Sequence, residues 1–139
     1  MSAKIRILIV EDDTPLAMLM VNVLSRAGCE LQVANSGAKG MKLAEKNPFD
    51  IITLDIDLED VSGLIICRKL RQKRMTQHTP IIFISGRSSE EDKQRGLKAG
   101  AVDYIAKPFD VDDFILRIVS QARANQRRAT VSTSEDTTK

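Results

Sequence analysis

Residues 5–13 read IRILIVEDD. An apolar, largely β-branched run breaks off on three consecutive acids. A run this short, bounded by polar residues, reads as a strand buried on both faces. The pattern recurs at 51–55, IITLD, and at 81–86, IIFISG. Two less apolar runs, 30–34 and 102–105, suit the edges of a sheet. Between the five runs lie segments of helical period, at about 14–27, 37–46, 63–73, 89–99 and 111–127. Five strand–helix pairs predict an α/β fold on a mostly parallel sheet.

Boundary signals agree with this division. Asp13 or Thr14 can cap the first helix, with Pro15 in its first turn and Gly28 at its end. Ser36 can cap the second helix, and Asn47-Pro48 closes it. Ser62-Gly63 opens the third. Ser88 stands ahead of Glu90 and Glu91, acids well placed for the start of the fourth, which Gly100 ends. Asp110 can cap the last helix. Apolar periodicity there fades after Ala122 or Ala124. The Ser/Thr-rich stretch 130–139 reads as a disordered tail or the start of a linker to a further segment. One domain over 1–124 is expected, with a helix end and tail over 125–139.

The chain has 139 residues, a length that suits one hydrophobic core. Its 21 basic and 19 acidic side chains leave a net charge of +2, too balanced to imply nucleic acid or anionic membrane as a partner. Arg123, Arg127 and Arg128 read as a solvated helix end rather than a DNA-binding patch. No apolar run approaches the roughly 20 residues that span a bilayer. Cys29 and Cys67 form no metal or redox motif and read as small buried hydrophobes, which fits a cytoplasmic location.

The chemistry lies at the strand ends. Glu11, Asp12 and Asp13 follow the first strand, and Asp55 follows the third. In a doubly wound sheet, ligands gather beyond the carboxyl ends of the strands where the strand order reverses. Carboxylates brought together there repel unless a cation neutralises them. Mg²⁺ suits an all-oxygen set of carboxylates, a carbonyl, waters and a phosphate oxygen. Asp13 fits a helix cap better than a ligand, Asp12 and Asp55 fit ligands better, and Glu11 is intermediate. Ser85 and Lys107 end two further apolar runs. Taken singly, Ser85 reads equally well as a turn residue, and Lys107 as a solvated lysine. A hydroxyl, an ammonium and a metal at one pocket can together hold the oxygens of a phosphoryl group, with Asp55 as nucleophile.

Four segments in order, ILIVEDD, DIITLDIDLEDVSG, PIIFISG and GAVDYIAKPF, resemble the receiver domain of bacterial response regulators of the chemotaxis-regulator type. The resemblance covers residues 5–122. It implies a flavodoxin-like doubly wound (βα)5 three-layer sandwich with parallel strand order 2-1-3-4-5. By resemblance, Asp55 is the phosphoacceptor and Asp12 the direct metal acid. Glu11 holds the metal through water, and the main-chain carbonyl of Asp57 completes the protein ligands for Mg²⁺, or Mn²⁺ in its place. Ser85 is the switch hydroxyl, and Lys107 pairs with the phosphoryl group. Tyr104 is the aromatic that follows the switch, and Pro108 the proline commonly preceded by a cis bond. The implied role is transfer of a phosphoryl group from a sensor histidine kinase or phosphotransfer protein onto Asp55, without turnover as an enzyme. The conformational change would be read by a downstream protein, by a missing effector domain or by a homodimer.

The match has departures. Glu59 and Asp60 stand where the family often has Pro and Gly, and Asp57 where many members have Met or another neutral residue. The added negative charge is expected to alter phosphorylation or hydrolysis rates, while Gly86 leaves one side of the pocket open to water. Two rival readings are weighed. Asp55-Ile56-Asp57 resembles the Asp-x-Asp start of haloacid-dehalogenase-like phosphatases, but the acids after the first strand and Lys107-Pro108 argue against that family. A phosphate-independent pseudo-receiver would lack the acceptor, a metal acid or the lysine, and all three types are present.

Overall fold

β1 (Arg6–Val10) is buried on both faces: Ile7 and Ile9 turn to one side, Leu8 and Val10 to the other. This is the period-two alternation of a central strand, and it assigns each side chain to one of two cores. The computed structural model describes the backbone of residues 3–137 and the side chains of residues 3–129. After β1 the chain runs through α1 (Thr14–Arg26), β2 (Glu30–Ala34), α2 (Gly37–Lys46), β3 (Ile51–Leu54) and α3 (Gly63–Arg71). It continues through β4 (Ile81–Ser85), α4 (Glu90–Ala99), β5 (Asp103–Ala106) and α5 (Val111–Thr137). All strand pairs are parallel, in the order β2-β1-β3-β4-β5, with the expected edges.

Helices cover both faces. Met20 and Leu24 of α1, with Phe114, Ile118 and Ala122 of α5, pack on Ile7, Ile9, Ile51, Ile82, Ile84 and Ile105. On the other side, Ala44 of α2, Ile66, Cys67 and Leu70 of α3 and Ala99 of α4 meet Leu8, Val10, Ile52, Leu54, Ile81 and Phe83. Each large aliphatic so buried contributes about 1.5–3 kcal/mol before entropy is counted. The result is the three-layer doubly wound sandwich.

Several local expectations change. α4 begins at Glu90 rather than at 89, because the Ser89 Oγ accepts the Asp92 N–H at 3.0 Å and caps it. α5 continues as helix to Thr137, where the sequence suggests helix to about 127 and a disordered tail or linker from 130. No Gly or Pro follows Pro108, and an established helix propagates through modest helix formers at little cost. What was expected of residues 138 and 139 lies outside the described residues. Arg123 is not a solvated helix end: it donates to the Ala3 carbonyl at 2.6 Å, while Asn125 donates to the Asp50 carbonyl at 3.3 Å. These bonds fasten α5 to the amino-terminal edge of the sheet.

Candidate functional site

Strand register brings the acids together. Val10 and Leu54 are partners in the β1–β3 ladder, so the residues that follow them, Glu11 and Asp55, emerge side by side. The Asp55 N–H still donates to Val10 O at 3.2 Å, and the Glu11 N–H to Ala34 O at 3.0 Å, which holds both backbones in line with the sheet. This is the point where strand order reverses. Glu11, Asp12 and Asp55 each offer a carboxylate oxygen within 4.8 Å of the others.

Lys107 enters from the far edge. Its N–H donates to the Ser85 carbonyl at 2.8 Å, and the peptide bond to Pro108 is cis. Its Nζ stands 2.9 Å from Glu11 Oε1 and 3.0 Å from Asp55 Oδ2. Burial opposes the lysine's charge, but the two carboxylate partners outweigh it and hold the ammonium above its usual range. Burial pushes the Glu11 carboxyl up, as does the neighbouring Asp55 charge, against the pull of Lys107 and the Asp13 N–H. One ammonium among three acids leaves an excess of negative charge in a site whose Glu11 is 2% exposed and Asp55 6%. A hard cation with oxygen ligands matches that donor set, and Mg²⁺ fits it.

Asp13 stands apart from the cluster, because its Oδ1 accepts the Leu16 N–H at 3.2 Å and caps α1. Asp12 Oδ2 accepts the Glu59 N–H at 3.0 Å, tying the loop after β1 to the loop after β3. Gly63 packs under Asp55: a Cβ there would lie 2.1 Å from the Asp55 carbonyl oxygen, so only glycine lets α3 begin so close to that backbone. The sequence reading took Gly63 for a helix start alone.

Ser85 is fully buried, and its Oγ accepts the Arg87 N–H at 3.2 Å. Among the described residues it makes no hydrogen bond to Asp55. Tyr104 is buried against Phe83 and donates its hydroxyl to the Arg87 carbonyl. Burial raises the phenol's pKa, while an interaction with Ser85 pulls it the other way. Gly86, between Ser85 and Arg87, has nothing within 4 Å of where a Cβ would stand.

The acidic loop is less negative toward the site than its letters suggest. Asp57 gives its N–H to Asp55 Oδ1 at 3.1 Å, but its carboxylate is gripped by Arg87. Asp60 accepts the N–H groups of Gly37 and Ala38, both at 2.9 Å, at the start of α2. Both carboxylates therefore have partners outside the cluster. Sequence reasoning missed Arg87 and the capping role of Asp60, since nothing in local spacing marks a contact between loops.

A parallel doubly wound sheet thus gathers Glu11, Asp12, Asp55 and Lys107 at its reversal point. The chain belongs to the response regulator receiver domain family, whose model matches residues 7–119. It is 39% identical over 123 residues to the response regulator ArlR of Staphylococcus saprophyticus, covering 88% of this chain and 54% of the relative. It is 36% identical over 122 residues to the DNA-binding dual master transcriptional regulator RpaA of Synechocystis, covering 88% and 51%. The chain thus spans about half the length of these relatives. Among solved structures it superposes on a CheY-like receiver domain protein of Methanospirillum hungatei with TM-score 0.83 and 28% identity, covering 91% and 99%. A BeF3-activated DrrB receiver domain gives TM-score 0.77 and 28% identity, covering 88% and 99%. The chain is a receiver domain of two-component signalling, the phosphoacceptor module of response regulators, and the phosphatase reading falls away. Among the described residues no helix is long and apolar enough to cross a membrane.

Proposed function

We propose that Asp55 accepts a phosphoryl group from the phosphohistidine of a sensor histidine kinase or phosphotransfer protein. The observation that carries this is the Lys107 ammonium 3.0 Å from a nearly buried Asp55 at the sheet's reversal point. An Asp55 oxygen bonds to phosphorus as the donor's phosphorus–nitrogen bond breaks, and the imidazole leaves with that electron pair. Lys107 and the Ser85 hydroxyl supply donors to the oxygens of the group in transfer. Asp12, Asp55 and the Asp57 carbonyl would hold Mg²⁺ or Mn²⁺, with Glu11 acting through water. The cation's contribution when bound is to neutralise the oxygens' charge.

Attraction of Ser85 to the phosphoryl group, with Tyr104 following, would shift the population between two packings of α4, β5 and α5. That face would then address a downstream protein, an effector segment or a second copy of the chain, in the cytoplasm. Beryllofluoride with Mg²⁺ tests the site. Binding that requires Mg²⁺ and disappears in Asp55→Asn supports the assignment. Binding retained in Asp55→Asn, or independent of Mg²⁺, overturns it. Phosphotransfer profiling against histidine kinases would then name the donor.

A further inference from the structure

We propose that the Arg87–Asp57 ion pair is a latch between the acceptor loop and the switch loop, and that its closure holds Tyr104 engaged and prolongs the phosphorylated state. The effect on lifetime rests on Asp55 being the acceptor; the effect on Tyr104 does not.

β3 and β4 are neighbours, with Leu54 opposite Phe83, so the loops that leave them stand side by side. Arg87 Nε donates to both oxygens of Asp57, at 3.0 and 2.9 Å, and its Nη2 lies 2.9 Å from Oδ1. Beyond the strand ladder, no other hydrogen bond or ion pair among the described residues joins 55–62 to 85–89. The planar guanidinium fork matches a carboxylate in a way a lysine does not.

The two side chains are about half exposed, at 53% and 51%, so the pair contributes little to global stability and can open without unfolding the domain. The backbones of the same residues are wired inward. Asp57 donates to Asp55 Oδ1, Arg87 donates to Ser85 Oγ, and the Arg87 carbonyl accepts the Tyr104 hydroxyl. A pull on the ion pair therefore reaches the acceptor at one end and both switch hydroxyls at the other. It works through two short loops rather than through the core.

The pair also borders a cleft of about 350 Å³ lined by Ile56, Asp57, Leu58, Arg87, Asp92 and Arg95. Gly86 places no side chain beside it that could take over its role. With the latch open, the acceptor loop loses its tether to the switch loop and water gains a route from the cleft. In hydrolysis a water oxygen bonds to phosphorus and the bond from phosphorus to the Asp55 oxygen breaks. Asp55 recovers its carboxylate, and inorganic phosphate and a proton are released.

The chain has one tyrosine and no tryptophan, so its intrinsic fluorescence reports Tyr104 alone. The test compares the parent with Arg87→Ala, Asp57→Ala, the double variant and the charge-swapped pair Arg87→Asp with Asp57→Arg. Each is loaded with acetyl phosphate and Mg²⁺ and followed for loss of acyl phosphate. Each single variant is expected to lose phosphate about two- to fivefold faster, the scale set by one exposed ion pair. The double variant should be no faster than either single, and the swap should recover part of the lifetime. Without phosphate, Tyr104 emission in the single variants should move toward that of a solvent-exposed tyrosine. Single effects that multiply in the double variant, or unchanged Tyr104 emission, overturn the latch. A parent that takes up no phosphate overturns the acceptor assignment instead, and the fluorescence arm still decides the latch.

Discussion

Lys107 Nζ lies 3.0 Å from Asp55 Oδ2, although 52 residues separate the two in sequence. Its other partner, Glu11, is almost wholly buried. Lys107→Ala leaves those acids facing one another with no cation between them. The expected cost without divalent ions is about 2–3 kcal/mol, somewhat below that for breaking a fully buried pair. Mg²⁺ should restore more stability to the variant than to the parent, because it returns positive charge to the same site. Urea unfolding with and without Mg²⁺ checks this; equal Mg²⁺ effects in the two proteins would count against the shared site.

Two glycines near Asp55 and Ser85 predict opposite outcomes. Gly63→Ala places a Cβ 2.1 Å from the Asp55 carbonyl oxygen and 2.9 Å from Ile56 Cα, where only backbone could give way. A loss of about 3 kcal/mol is expected, at the upper end of overpacking. Beryllofluoride binding should weaken with it, as Asp55 is displaced. Gly86→Ala meets nothing within 4 Å and should fall within about 0.5 kcal/mol of the parent. Thermal unfolding of the two variants side by side decides between these expectations.

Asp60 bonds the first amides of α2 from a loop beyond the next strand. The Ala38 and Gly37 N–H groups stabilise its ionised form and hold its pKa below the usual aspartate value. A carboxylate depressed in the folded state stabilises it above the unfolded pKa. That contribution is lost as pH falls through the lower, folded value. Asp60→Asn should therefore lower the urea midpoint at neutral pH and reduce the acid-side fall in stability. Acyl phosphate formation should persist, since the side chain points to α2. Midpoints measured from neutral to strongly acid pH test the first part, and acetyl phosphate labelling the second.

Burial pushes the Cys67 thiol up from 9.0 to about 11, against weaker opposing pulls from Arg71 and Arg68. The folded chain then keeps the proton where the unfolded chain releases it. Stability from this source is full below pH 9 and declines as pH rises through about 11. The total is on the order of 2–3 kcal/mol. Cys67→Ala should flatten that part of the alkaline decline. At neutral pH a thiol reagent should reach neither Cys29 nor Cys67 until the protein is unfolded, since both are buried.

Much of the fold was legible from single segments. The β-branched runs marked all five strands to within a residue at each end, and Asp13, Ser36 and Ser62 cap α1, α2 and α3 as their positions suggest. Such features depend on neighbours a few residues away. The start of α4 was placed one residue early because Ser88 and Ser89 satisfy the same local rule. The role of the acidic loop was not legible. Asp57 and Asp60 look alike in sequence, yet one meets Arg87 and the other the α2 amides. Their partners lie on other strands' loops, and no local periodicity encodes that meeting.

The sequence by itself determined which residues would form strands and helices, and that polar groups would follow the apolar runs at Glu11, Asp55, Ser85 and Lys107. Propensity, capping and the alternation of buried side chains act over short stretches of chain and are written there. Only the tertiary structure decided that Glu11, Asp55 and Lys107 share one set of ion pairs, and that Ser85 and Tyr104 both bond the Arg87 backbone. It also decided that two of the loop's added carboxylates, Asp57 and Asp60, meet Arg87 and the α2 amides. Those contacts follow from the parallel register of β1, β3, β4 and β5 and from how far side chains reach between neighbouring loops, which only the packed sheet defines.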